Sequence, residues 1–155
     1  MGFISAFGIG FAAQISALVI LPLTSANAAP TVLGPIDVSI TGLRNAKGNV
    51  LVCLTANPKA YPDCGKDPKS LKQSLPARPT LEARFEGVAP GTYAIALIHD
   101  ENSNNRMDVA LFLPKEGFGM SQNPPIGIGP PSFKSAKFTY SGEALRLPIR
   151  MRYLL

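Results

Sequence analysis

The chain has no tryptophan, a single histidine and only two cysteines among its 155 residues. One histidine cannot build a multi-histidine metal centre, and any Ser/His/Asp or Cys/His mechanism would have to run through His99. No G-x-S-x-G elbow occurs, since "GMSQN" lacks both flanking glycines. Cys53 and Cys64 stand too far apart for a C-x-x-C redox pair, and with one histidine they leave too few soft ligands for zinc. Acidic side chains are scarce as well, 10 against 15 Lys and Arg, for a formal net charge of +5. That balance is basic but below the density of a nucleic-acid binder. No internal repeat and no second domain boundary is visible.

Charge is absent altogether from "MGFISAFGIGFAAQISALVILPLTSANAAP", which is apolar through Leu23 and closes on the small-residue pattern Ala26, Asn27, Ala28. This reads as a secretory signal peptide over residues 1–28, leaving one domain, residues 29–155. The n-region lacks its usual Lys or Arg, so an uncleaved anchor is the alternative; Pro30 just past the A-x-A site favours cleavage. No cysteine follows the apolar run, which disfavours a lipid-anchored form. The expected protein is therefore exported, periplasmic or secreted, with no stable membrane span once the signal is removed. In an oxidising compartment Cys53 and Cys64 are expected to pair. Closing that loop stabilises the fold by about 3 kcal/mol in the chain-entropy model.

What the sequence does contain is alternation. Ile36, Val38 and Ile40 share one face of "PIDVSITGL" against Asp37, Ser39 and Thr41, the mark of a half-buried strand. Turn residues Asn45 to Asn49 lead into the apolar run Val50 to Leu54, predicting a hairpin of the two segments. Asp67 before Pro68 suits a helical turn running to Gln73. "TLEARFEGV" places Leu81, Ala83 and Phe85 inward, and "GTYAIALIH" is apolar on both faces, as a central strand would be. "VALFLP" predicts a short strand, and "SQNPPIGIGPP" holds too much Pro and Gly for a ladder. "FKSAKFTY" and "EALRLPIRMRY" predict a closing hairpin, with Pro148 facing outward on an edge. Its basic face, Arg146, Arg150 and Arg152 with Lys134 and Lys137 opposite, reads as a solvated edge, an anionic glycan or lipid surface being the alternative. The sum is an all-β, antiparallel Greek-key β-sandwich of about seven strands, with a closed barrel as the alternative.

The richest local signal is "HDENSNNRMD", residues 99–108. Asp100, Asn102 and Asn104 follow at i, i+2 and i+4, and Asp108 stands at the ninth position of an EF-hand-like loop. Hard cations want several oxygen ligands on a pliable turn, so these residues are candidate Ca²⁺ ligands, with Glu116 as an additional carboxylate and the Arg106 carbonyl in reach. Asn105 takes the position usually held by Gly, and Leu111 stands where a bidentate Glu would complete an EF-hand. Asp and Asn also close turns on their own backbone without any metal, so both readings stay open. His99 is expected to brace the loop, and Glu101 to face solvent.

The segments "FEGVAPGTYAIALIHDENSNNRMD" and "LPKEGFGMS" with the closing strands resemble the bacterial domain-of-unknown-function family numbered 2141, over most of the chain past the signal. Gly87, Pro90, Gly91, Tyr93, Ala94, His99, Asp100, Asn102, Asn104, Asp108, Pro114 and Glu116 fit its motifs, while Met120 departs where Phe is common. The resemblance implies small exported proteins without an assigned activity. "FEGVAPGTY" is also similar to turns of transthyretin-like and carboxypeptidase-regulatory sandwich domains, which bears on fold alone. The expected function is a non-catalytic cell-envelope module, its partner an envelope glycan or protein presented by "PKEGFGMSQNPP". The alternative is a glycan hydrolase using Asp100 with Asp108 or Glu116.

Overall fold

The computed structural model describes Gly2, residues 33–127 and residues 129–155. Apart from Gly2, the expected signal segment 1–28 and its cleavage point lie outside the described residues. Thr31–Leu155 is a compact unit carrying its own hydrophobic core. Among the described residues no helix is long and apolar enough to cross a membrane.

The described residues form ten strands: β1 Ile36–Thr41, β2 Asn49–Thr55, β3 Leu71–Pro76, β4 Thr80–Phe85, β5 Gly91–Asp100, β6 Val109–Ala110, β7 Leu113–Pro114, β8 Gly117–Met120, β9 Phe138–Tyr140 and β10 Leu145–Arg150. Three of them make one sheet in the order β10-β1-β4, and a second sheet runs β3-β2-β5-β8 with β9 also on β5. The sandwich is thus confirmed, with ten strands where about seven were expected; the extra ones are two to six residues long. Ile36, Val38 and Ile40 from the first sheet face Val50, Val52, Leu54, Ile95 and Leu97 from the second, all of them buried. Burying one face of each sheet against the other is what alternation at period two requires.

Several expectations fail at the level of pairing. β1 and β2 do not form a hairpin: β1 pairs with β4 and, in parallel, with β10, while β2 lies between β3 and β5. Residues 42–48 instead cross from one sheet to the other, turning at Gly42 and Gly48, both with positive φ. The closing hairpin is absent for the same reason, since β9 joins β5 and β10 joins β1. Lys134 and Lys137 are therefore not opposite Arg146 and Arg150, because Lys134 sits on the short helix α1, Phe133–Ala136. Pro148 does face outward on the edge strand β10, as expected.

The helical turn expected from Asp67 is displaced. A 3-10 turn spans Cys64–Lys66, and Leu71–Pro76 is strand β3. The Cys53–Cys64 disulfide, with Cα atoms 6.3 Å apart, ties this segment to β2. The buried Asp67 carboxylate accepts the Thr55 hydroxyl at 2.6 Å and the Lys69 amide at 3.0 Å. Those two hydrogen bonds hold its carboxyl below the ordinary range. Pinned along β2, the chain completes a ladder there, and tertiary pairing overrides the local capping signal.

"PKEGFGMSQNPP" is likewise no presenting loop, because Gly117–Met120 is the fully buried strand β8. A Cβ on Gly117 would run into the Tyr153 ring, and one on Gly119 would crowd Ile149, Leu97 and Met151. These glycines let β10 and its continuation lie close over β8. Ser121 then closes the seam between β8 and β9 along β5. Its hydroxyl accepts the Ile95 amide at 2.9 Å and donates to the Ala136 carbonyl at 2.5 Å, so the buried break leaves no orphaned group.

Candidate functional site

Strand β5 ends by delivering His99 and Asp100, both fully buried, to one edge of the sandwich. Beyond them the chain folds on its own side chains. The Asp100 carboxylate accepts the Asn104 amide at 3.0 Å and the Asn105 amide at 2.7 Å. Asn102 and Asn104 each close an Asx turn, accepting the amides of Asn104 and Arg106 respectively. Ser103 and Asn105 take positive φ, 59° and 62°, which Asn tolerates at less cost than a bulkier residue.

The same amides reach across to Asp108. Asn102 Nδ2 donates to Asp108 Oδ2 at 2.7 Å, and Asn104 Nδ2 donates to Oδ1 at 3.0 Å. Bonding to Asn104 and then Asn102 holds the Asp108 carboxyl below its ordinary range. Glu116 sits behind the loop, buried, its oxygens accepting the Glu101 amide at 3.1 Å and the Asp108 amide at 3.0 Å. Asp100, Asn102, Asn104 and Asp108 are thereby joined into one cluster, with Glu116 bracing its backbone. Among the described residues no three His, Cys, Asp or Glu side chains converge on a metal-sized space, so oxygen donors here come from two carboxylates, two amides and main-chain carbonyls. An ionised carboxylate has about four lone-pair sites, and Asp100 and Asp108 each commit only two to these bonds.

Both ring nitrogens of His99 are engaged. Its Nε2 lies 2.8 Å from the Lys47 carbonyl, which can only accept, so Nε2 carries the proton. Nδ1 then accepts the Tyr153 hydroxyl at 2.7 Å, whose oxygen in turn accepts the Arg44 amide at 3.1 Å. Burial pushes the Tyr153 hydroxyl up, keeping it a donor. His99 thus fastens three separate segments at the root of the loop.

Glu101 does not face solvent. Arg44 grips it through two bonds, Nε to Oε1 at 2.8 Å and Nη2 to Oε2 at 2.6 Å, and Asn45 adds a third at 2.6 Å. The Arg44 guanidinium also lies over the Tyr153 ring, 4.6 Å from its centre, and donates to the Lys115 carbonyl at 3.0 Å. Sequence reasoning missed Arg44 because a charged residue in a turn carries no mark of its partner. Tyr153 had a signal, since Leu147, Ile149, Met151 and Tyr153 stand at alternate positions in the sequence.

A family model described as "Uncharacterized protein conserved in bacteria (DUF2141)" matches residues 38–147. The chain belongs to this family. No curated protein and no solved structure matches it. The DUF2141 span takes in Arg44, His99, the whole 100–108 loop and Glu116, and ends before Tyr153. No enzyme family is named for it.

The ion pair makes this DUF2141 domain acid-sensitive. Hydrogen bonding from Arg44, ahead of Asn45 and the Arg44 charge, pushes the Glu101 carboxyl down from 4.5 to about 2. A depressed carboxylate contributes stability that is complete above its unfolded value and is lost as pH falls through its folded one. The window is therefore pH 4.5 down to about 2. Because the Arg44 side chain is 36 % exposed, solvent screening reduces the contribution to about 2 kcal/mol. Urea midpoints measured across that window should fall in the native protein and fall less in Arg44→Met; parallel curves would refute the assignment.

Proposed function

We propose that this protein is an exported, non-catalytic β-sandwich of the bacterial cell envelope, and that its 100–108 loop takes up a hard divalent cation, calcium by preference. The observation that carries the reading is the hydrogen-bonded convergence of Asp100, Asn102, Asn104 and Asp108 at the end of a central strand. Calcium accepts six to eight oxygens in pliable geometry, which mixed carboxylate, amide and carbonyl donors supply. Binding would exchange the Asp108 amide bonds for metal bonds and stiffen a loop already folded. Two carboxylates imply weak affinity, a Kd on the order of 10⁻⁴ to 10⁻³ M, as in extracellular modules. Export is supported by the charge-free apolar leader with its A-x-A pattern and by the Cys53–Cys64 disulfide.

Two observations support the non-catalytic reading. A glycosidase acid needs a carboxyl raised above its ordinary pKa, whereas Asp108 is lowered. His99 has both nitrogens engaged and no exposure. Thermal unfolding of Thr31–Leu155 in about 10 mM calcium against chelator tests the site. Stability should rise by about 1.4–2.7 kcal/mol for a Kd in that range. Asp108→Asn should lose the response, and identical melting in calcium and chelator would sink the cation reading.

A further inference from the structure

Nine residues past Asp100 the chain begins a second, much smaller feature. β6 and β7 pair Val109 with Pro114 and Ala110 with Leu113, leaving Leu111 and Phe112 as a two-residue turn. Both carry positive φ, 48° and 70°. Such turns favour Asn and Gly, which reach that conformation at low cost, and bulky side chains there are strained. Leu111 is 92 % exposed and Phe112 99 % exposed, with Val109 and Leu113 continuing the apolar surface. None of these side chains belongs to a core cluster. Backbone preference and hydration both oppose this pair, so folding alone gives no reason for it.

The hairpin is held firmly at its base. The Lys115 amide donates to the Asp108 carbonyl at 2.9 Å, and Glu116 clasps the amides of Glu101 and Asp108. Two cations flank that base. Arg106 is 77 % exposed, its nearest acid Asp108 at 3.7 Å, and Lys115 is exposed with no ion pair among the described residues. The acids nearby, Asp108 and Glu116, are occupied by amides.

From this convex apolar tip with a basic collar we infer a membrane contact: the Val109–Leu113 hairpin inserts into the interface of an anionic lipid bilayer, with Arg106 and Lys115 at headgroup level. A flat, deformable interface receives a narrow projecting tip, and anionic headgroups complement the collar. A second copy is a poorer occupant, since it brings the same net charge of +5 against this one.

The absence of tryptophan makes the test direct, because Phe112→Trp installs the sole indole of Thr31–Leu155 at the tip. Working in chelator separates the outcome from the cation reading. With vesicles of mixed phosphatidylglycerol and phosphatidylcholine, emission should shift to the blue, and added salt should weaken the effect. In the native background, Leu111→Ser with Phe112→Ser should cut vesicle co-sedimentation by about tenfold or more without lowering the melting temperature. Arg106→Gln and Lys115→Gln should each weaken binding to anionic vesicles by about fivefold. Unshifted emission with those vesicles would overturn the inference. So would a shift seen without vesicles that grows with protein concentration, which would assign the tip to a second copy or another protein surface.

Discussion

His99→Ala lowers the unfolding free energy of Thr31–Leu155 by about 4 kcal/mol, seen as a large fall in denaturant midpoint at unchanged slope. The imidazole is fully buried, so its loss leaves a cavity in the root of the loop. It also orphans the Lys47 carbonyl and the Tyr153 hydroxyl, each about 1 kcal/mol or more when stranded away from water. His99→Gln, which reaches only one of these partners, should fall between. A histidine serving as an accessible base would behave oppositely, its removal leaving the midpoint where it was.

Gly48→Ala should cost about 3 kcal/mol or more, a large effect for one methyl group. Gly48 has φ +67°, and the position of a Cβ there coincides with the Asp100 carbonyl and crowds the Glu101 backbone. Backbone cannot swing aside as a long side chain can, so the strand or the loop must move. Because Lys47 and Asn49 flank this residue and bond to His99 and Ser103, the shift would also loosen the candidate cation cluster. Melting curves with and without calcium would show both losses together, and an alanine variant as stable as the native protein would mean the close approach is not required.

How much of this was readable beforehand depends on the range of each interaction. The facing of Ile36, Val38 and Ile40, of Leu81, Ala83 and Phe85, and the central place of β5 were visible, because alternation reports which face a side chain takes. It says nothing about which strand lies alongside, and both expected hairpins failed there. Asp100, Asn102, Asn104 and Asp108 were legible as a group because they meet through bonds spanning at most six residues. The supports of that group come from elsewhere: Glu116 from the residues after β7, Arg44 and Lys47 from the crossing between sheets, Tyr153 from the chain end. β8 was hidden because its glycines look like loop residues, yet they are needed where Tyr153 and Ile149 press against the strand.

The parallel pairing of β1 with β10 sets the order in which the molecule can be completed. Ile36 has Leu145 as its neighbour, so the opening strand waits for the closing one before its sheet is whole. The sheet β10-β1-β4 therefore closes last, whereas the sheet built from β2, β3, β5, β8 and β9 has all its strands before Leu145.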